Sequence, residues 1–511
     1  MKHSLFTIKD RRIRYIAKGI LVGIFTGIVV SLFRLGVEKI LESIVQLYAL
    51  FRSEPIWLLP WAVVSILAAL IIGLLVKSEP NIKGSGIPQV EGQVQGVIHV
   101  QWWSILWKKF IGGLIAIGSG LFLGREGPSI QLGAAIGLGT SKLTKGDETE
   151  ETVLLSSGAG AGLAAAFNAP VAGLMFVLEE VHHNFSPLVA VTTFTSAIVA
   201  NFVSLTIFGL TPVINIGAVT SLPLQYYIYL PCLGIFLGLA GWLYNKVLLD
   251  ILPKFYQRFS FIPKHFNSVI PLLLLIPIGY YLPSIIGGGS GFIVQLPKWN
   301  LSLFILIALF ILRFVFSMVS YGASVPGGIF LPILSLGAIL GTIFAQLMIH
   351  YFQMDARYLT HFILFAMAGY FTAIGKAPLT AILLVTEMVG GLNQLMPLAV
   401  VSLTAYITAD FLGSKPIYES LLEKLLPVDH SISINKPYSF IHPIEANSHL
   451  AKKAIKDVQW PEDMIISSLH RGNERILPHG ETKIYIGDHL IINCDLKKAS
   501  TIQQILKEKQ I

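Results

Sequence analysis

Charge is what this sequence has least of. Of its 511 residues, 13% are Asp, Glu, Lys or Arg and 54% are hydrophobic, whereas soluble domains carry about 25% charged residues. Cysteine is scarcer still: Cys232 and Cys494 stand in different regions, which speaks against a disulfide framework or a cysteine-built zinc site. No Gly-x4-Gly-Lys-Ser/Thr phosphate loop is present, so the hydrolytic chemistry of pumps has no residues to rest on. The net charge of +8 is not gathered into a basic stripe, and no nucleic-acid polymer is expected as a partner. The basic residues near the start, Lys9, Arg11, Arg12, Arg14 and Lys18, instead follow the cytoplasmic excess of Lys and Arg in membrane proteins and place the N-terminus inside. The apolar run 20–33 is followed by no small-residue cleavage site and does not read as a signal peptide.

The charge that exists is unevenly spread. The last 86 residues hold 21 of the 66 charged side chains, so a lipid-adapted body ends near residue 425 and a water-adapted tail follows. Ten apolar segments stand out in the body: 20–33, 56–76, 105–123, 188–209, 227–247, 268–287, 302–320, 333–350, 362–375 and 395–412. A straight span needs about 20 apolar residues. Others, at 84–96, 124–139, 158–178, 326–341 and 367–386, are short or broken by Gly and Pro. Broken helices at membrane depth are tolerated where protein buries them or they line a cavity, and in transporters they mark the substrate site.

The body also repeats itself. Gly124-Arg-Glu-Gly-Pro128 with Gly133 and Gly137 can be laid on Gly328-Ile-Phe-Leu-Pro332 with Gly337 and Gly341, and Ala169-Pro170 with Glu179 on Ala377-Pro378 with Glu387. Two matched pairs in one order argue for two structural halves, which transporters commonly build inverted. The expected architecture is an all-α polytopic membrane fold of two inverted-repeat halves with broken or re-entrant helices over 1–425, a linker at 426–436, and a small α+β cytoplasmic domain over 437–511.

Four segments share one design, a Gly-rich or small approach followed by a helix starter: Gly84-Ser85-Gly86-Ile87-Pro88, Gly124-Arg125-Glu126-Gly127-Pro128, Gly328-Ile329-Phe330-Leu331-Pro332 and Asn168-Ala169-Pro170. Proline suits the first helical position, and the free N–H groups and dipole of a helix start favour an anion. Several such ends would replace water around an anion with weak donors and let it leave again. Glu126 stands among those N–H groups. A carboxylate inside a membrane segment is functional by default: ionised, it can occupy the anion position; protonated, it can swing away. Its competing reading is a capping carboxylate. Glu179 and Glu180 close the run Gly173–Leu178, and neighbours on an α-helix point about 100° apart. At most one faces a given cavity, as a proton port, unless both simply face water.

In this order, and with Tyr418 in Lys415-Pro-Ile-Tyr418, these motifs resemble the CLC chloride channels and transporters over about residues 15–425. The resemblance implies that the Ser85 hydroxyl, the Ile329 and Phe330 N–H groups and the Tyr418 hydroxyl hold a central chloride. It implies an outer anion site along the backbone of Arg125 to Gly127, Glu126 as the external gate and Glu180 as the internal proton group, with Lys109 as a basic residue beneath. Locally, Tyr418 reads equally as an interfacial anchor. Glu180 fits the exchangers of that family better than its channels, and Ser85 fits chloride. The implied activity is chloride/proton antiport by a homodimer in a bacterial plasma membrane, with both termini cytoplasmic and no cofactor. A passive chloride channel gated by Glu126 is the alternative, and a ligand sensor on an inert membrane anchor is a third reading.

In the tail, Tyr438–His442, Met464–Leu469 and His489–Cys494 read as strands, Ser448–Lys456 and Lys498–Lys507 as helices, and Arg471-Gly-Asn-Glu474 as a hairpin turn. Met464–Arg471, Leu477–Gly480 and Ile486–Leu490 resemble the TrkA-C domain, the C-terminal half of RCK regulators. The resemblance implies pairing about a two-fold axis and a small ligand between the partners, with cyclic di-AMP the suggested one. Arg471 and Arg475 would meet its phosphates, Asn473 an adenine edge, and Ile465 and Ile466 a base. A dimer-stabilising module without a ligand is the plainer alternative.

Overall fold

The computed structural model describes residues 2–183, 185–210, 212–214, 221–259, 262–426, 437–444, 448–461, 464–471, 474–495, 502 and 505–506. The chain divides into two compact units, Met1–Leu425 and Leu426–Ile511.

The first unit is helical. Among the described residues, eight helices are long and apolar enough to cross a membrane, from Arg12–Ser53 to Leu392–Phe411. Their burial differs in a way that sorts them. The most apolar stretch of Pro55–Ser78 is 28% buried and that of Phe330–Phe352 is 89% buried, so the first faces lipid and the second fills the centre. Each interrupted segment becomes a helix that starts or stops inside this bundle: Ile87–Val94, Glu126–Leu143, Pro170–Phe176, Phe330–Phe352 and Pro378–Val389. The breaks before Pro170 and Pro378 are built alike. Asn168 and Lys376 end the preceding helices Glu148–Phe167 and Leu359–Gly375 in the left-handed conformation, at φ 55° and 66°. An alanine and a proline then start the next helix in a new direction.

The repeat glycines set how closely these helices cross. A Cβ on Gly133 would lie 2.0 Å from the Gly158 carbonyl and one on Gly137 2.0 Å from the Leu154 carbonyl. In the other half, a Cβ on Gly341 would lie 2.5 Å from the Phe362 carbonyl and one on Gly337 2.8 Å from that of Ala366. Lipid provides no hydrophobic drive between helices, so association rests on such backbone approach through small residues.

The tail unit is a four-stranded antiparallel sheet of order β1-β4-β2-β3, with β1 Pro437–Pro443, β2 Met464–Arg471, β3 Glu474–Ile476 and β4 His489–Asp495. Leu469, Leu490 and Ile492 pack with Phe440, Ile444, Leu450, Ile484, Ile502 and Leu506 into its own core. The helix expected over Ser448–Lys456 is not formed. The Ser448 hydroxyl accepts the Leu450 N–H, Lys452 takes φ 66°, and only Ile455–Asp457 makes a 3-10 turn. The segment bonds across instead: Lys452 N–H to Ile484 O at 2.7 Å, Ile484 N–H to Lys453 O at 3.0 Å and Ile455 N–H to Thr482 O at 3.0 Å. Of the helix expected over Lys498–Lys507, Ile502, Ile505 and Leu506 are described and are helical, and the rest lies outside the described residues.

Candidate ion site at the meeting of helix starts

Three helix starts are pinned together by their backbones. Gly124 and Gly328 exchange hydrogen bonds, Gly124 N–H to Gly328 O at 2.7 Å and Gly328 N–H to Gly124 O at 2.8 Å. Gly84 donates to Val325 O at 2.9 Å and accepts from Gly327 N–H at 3.0 Å. The approaches to Ile87–Val94, Glu126–Leu143 and Phe330–Phe352 therefore lie edge to edge, and their first N–H groups share one buried region. Gly127 must be glycine there, because a Cβ would come within 2.7 Å of the Ser85 carbonyl and 2.8 Å of its Cβ.

Ser85 is buried, and its Oγ accepts the Ile87 N–H at 3.3 Å. The Tyr321 hydroxyl also lies against Ser85, a neighbour the sequence did not announce, because Tyr321 ends an otherwise ordinary apolar span. Ile329 and Phe330 are buried, and the Phe330 ring packs between Phe167 and Phe371, with centroids at 5.5 and 4.3 Å. Tyr418 opens the helix Ile417–Leu425 and is buried, its hydroxyl having no hydrogen-bond partner among the described residues. It is no interfacial anchor. Lys109 is fully buried, and its ammonium donates to the Ile82 and Gly84 carbonyls, each at 2.8 Å. It fastens the approach to the Ile87 helix from beneath.

The Glu126 side chain is fully buried and folds back over Gly124, where a Cβ would lie 2.2 Å from Oε2. Its nearest backbone donors are its own N–H and that of Leu331, but neither carboxylate oxygen reaches hydrogen-bond geometry. Arg125 Nε stands 4.0 Å from Glu126 Oε1, while Arg125 Nη1 bonds Glu38 Oε1 at 2.5 Å. Glu38 also takes Arg34 Nε at 3.2 Å. This Arg34–Glu38–Arg125 chain joins the long first helix, Lys2–Ser53, to the Glu126 helix start.

Glu179 and Glu180 part company. The segment Val177–Val181 is wound as a π-helix, a form common at functional sites. Glu179 is taken up by the start of Pro378–Val389: it accepts the Leu379 N–H at 3.1 Å, the Thr380 N–H at 2.7 Å and the Thr380 hydroxyl at 2.7 Å. Its repeat partner Glu387 does the same in return, accepting the Val171 and Ala172 N–H groups at 3.1 and 2.8 Å. Each half thus caps a helix of the other. Glu180 is buried against Gly375, where a Cβ would lie 3.2 Å from Oε1, an oxygen with no hydrogen-bond partner among the described residues. Glu91, on the Ile87 helix, is equally buried and is one of the carboxylates facing Glu180. The rule that singled out Glu126, an acidic residue inside an apolar segment, would have found Glu91 as well.

In the tail, Arg471 is engaged within its own unit. Its Nε and Nη2 bond Asp488 Oδ1 and Oδ2 at 2.9 and 2.8 Å, Nη2 also donates to the Lys483 carbonyl at 2.9 Å, and the guanidinium lies 4.4 Å over the Tyr485 ring. A buried aspartate engages it within the unit. Burial pushes the Asp488 carboxyl up, but the Arg471 fork and the Tyr485 N–H outweigh it and hold the group below its usual range. Ile465 is exposed, and Ile466 lines a cavity of about 190 Å³ with Trp460, Met464 and Pro478. Arg475 is placed by its backbone opposite His470, and Asn473 lies outside the described residues.

A multi-span protein that gathers helix starts and isolated ionisable side chains in one dry place is built as an ion pathway. The chain belongs to the voltage gated chloride channel family, whose model matches residues 67–410. It is similar to the H(+)/Cl(-) exchange transporter ClcA of Vibrio parahaemolyticus, 36% identical over 428 residues that cover 80% of this chain and 89% of that one. The protein of the same name from Yersinia pestis is 34% identical over 420 residues, 79% and 86% of the two chains. Among solved structures, a slow cyanobacterial Cl-/H+ antiporter superposes with a TM-score of 0.75 at 30% identity, covering 82% of this chain and 99% of that one. A eukaryotic CLC transporter shares the fold, with a TM-score of 0.67 at 18% identity over 88% and 80% of the chains. Residues 440–507 match the TrkA-C domain.

Proposed function

We propose that this protein exchanges chloride for protons across a bacterial plasma membrane. The observation that carries the reading is Glu126: a fully buried carboxylate, unbonded, at the convergence of three helix starts. Ionised, it fills the anion position beside Arg125; protonated, it yields that position to chloride, so one site serves both ions. Ser85, Ile329, Phe330 and Tyr418 hold the central chloride, and the backbone from Arg125 to Gly127 the outer one. Glu180, buried and free on one oxygen, carries the proton from the cytoplasmic side. That buried second carboxylate favours exchange over a passive channel. The exchange transporters and the antiporter to which the chain is similar support the same reading.

Purified protein in liposomes, with chloride and proton fluxes recorded together, tests it. A chloride gradient is expected to drive protons uphill; chloride flux with no proton movement would leave a channel. Ser85→Pro is expected to move preference from chloride towards nitrate, and unchanged anion ratios would detach Ser85 from the site. The protein works as a homodimer with one pathway per subunit and both termini in the cytoplasm. The basic N-terminal residues support that orientation. The tail is a regulatory unit whose paired copies take a two-fold-symmetric dinucleotide, cyclic di-AMP. The exposed Ile465 and the cavity beside Ile466 and Trp460 offer surface for a base. Calorimetry on the intact protein measures binding, and flux with and without ligand measures coupling. No heat at high micromolar ligand would leave the tail as an assembly module.

A further inference from the structure

We propose that His183 and Glu91 form the relay that delivers protons from the cytoplasmic solution to Glu180. The proposal rests on the exchanger reading above and names a route that the reading leaves blank. Glu180 is buried, so protons from solution have to be carried to it. Two side chains of graded exposure lead to it. His183 is 47% exposed, in the turn that follows the π-helical segment carrying Glu180. Its Nε2 stands 3.6 Å from Glu91 Oε1, and Glu91 is 2% exposed. The Ile87 helix that carries Glu91 packs against the Val177–Val181 segment that carries Glu180, and Glu91, Glu419 and the neighbouring Glu179 are the carboxylates within electrostatic reach of Glu180.

The surroundings restrict which of these groups can carry the proton. Glu179 is bonded by the start of Pro378–Val389. Glu91 Oε1 accepts the Gln95 side-chain amide at 3.0 Å, which holds the carboxylate in place. The groups facing His183 are Glu91 from the Ile87 helix, Glu419 from the Ile417 helix and its neighbour His182. His182 is itself engaged, its Nε2 lying 2.7 Å from Ser156 Oγ. His183 and Glu419 are the exposed members of the group, and His183 is the one whose ordinary titration falls near neutral pH and whose ring stands beside Glu91. The step balances simply. Solvent protonates the free Nδ1 of the neutral His183 ring, the imidazolium gives its Nε2 proton to the Glu91 carboxylate, Glu91 passes a proton to the Glu180 carboxylate, and the ring returns to the Nε2–H tautomer by exchange with solvent. No other bond is made or broken.

The test uses purified full-length protein in liposomes, with proton and chloride fluxes recorded at symmetric pH values between about 5 and 8. His183→Gln and Glu91→Gln are each expected to slow proton-coupled exchange at least about tenfold at neutral pH, the scale of losing one proton-transfer group. His183→Gln should also flatten the pH dependence across the imidazole range. His183→Arg keeps a positive charge opposite Glu91 but cannot hand over a proton, and it is expected to be as slow as His183→Gln. In the uncoupled Glu126→Ala background, His183→Gln is expected to leave chloride flux unchanged. Wild-type rates in His183→Arg would make the pair a structural ion pair and overturn the relay. So would wild-type coupling in His183→Gln, or an equal loss of chloride flux in the Glu126→Ala background. A wild-type protein that moves no protons at all would overturn the exchanger reading instead, a result distinguishable from all of these.

Discussion

The two halves of the membrane unit share a framework and differ in its chemistry. Gly124 and Gly328 bond each other, Gly133 and Gly137 cross their neighbouring helix as Gly337 and Gly341 cross theirs, and Glu179 and Glu387 cap each other's half. At the centre of that correspondence, Glu126 aligns with Phe330 and Arg125 with Ile329. One half therefore presents a buried carboxyl group, and the other presents a ring wedged between Phe167 and Phe371. Duplicated residues hold the fold, and the halves differ in the side chains they place at these two helix starts.

The comparison is most sharply tested at that pair. Glu126→Ala is expected to abolish uphill proton movement while chloride continues to pass. Phe330→Ala, at the matching position, is expected to keep proton coupling and lower stability by about 3–5 kcal/mol, as truncation of a buried ring does. Proton pumping in the first variant would remove Glu126 from the shared gate. The adjacent carboxylates come next. Glu180→Gln is expected to block protons and spare chloride, whereas Glu179→Gln and Glu387→Gln should resemble each other, each weakening a helix start by about 1–2 kcal/mol with coupling retained. A proton defect in Glu179→Gln as large as in Glu180→Gln would break the division between cap and carrier.

The glycines follow. Gly124→Ala is expected to push the Glu126 carboxylate out of its place and raise chloride flux relative to protons. Gly328→Ala meets nothing nearer than the Gly124 carbonyl at 3.3 Å and should change the flux ratio less. Equal effects would mean that the glycines serve the backbone bridge alone. The smallest effect is expected in the tail. Arg471→Ala should lower its stability at neutral pH by about 1–2 kcal/mol, at the modest end because Arg471 is 39% exposed. Asp488 is held below its usual range in the folded state, so its contribution is present at neutral pH and fades as pH falls through that lowered value. The gap between variant and wild type should therefore shrink in acid. Hydrogen exchange at the β2 and β4 amides of the intact protein measures both.

What could be read from the sequence was whatever is local. Gly and Pro at helix starts, an acidic residue in an apolar run and the repeat spacing are properties of short stretches, and they marked Ser85, Glu126, the pair Glu179 and Glu180, and the breaks before Pro170 and Pro378. What could not be read depends on partners far along the chain. Glu179 and Glu180 look alike until Leu379 and Thr380 are seen to engage one of them. Arg471 looks free until Asp488 folds against it. The segment 448–456 has helix-forming residues, but its backbone finds residues 482–484 first.

The exchange of caps between halves also bears on how the protein is made. The start of the Pro170 helix waits for Glu387, which lies 216 residues beyond Val171. At about 5–20 residues per second, a ribosome needs roughly 10–40 s to supply it. During that interval the first half is inserted with its Val171 and Ala172 amides lacking their eventual acceptor. The Pro170 helix start is thus completed only when the second half folds against it.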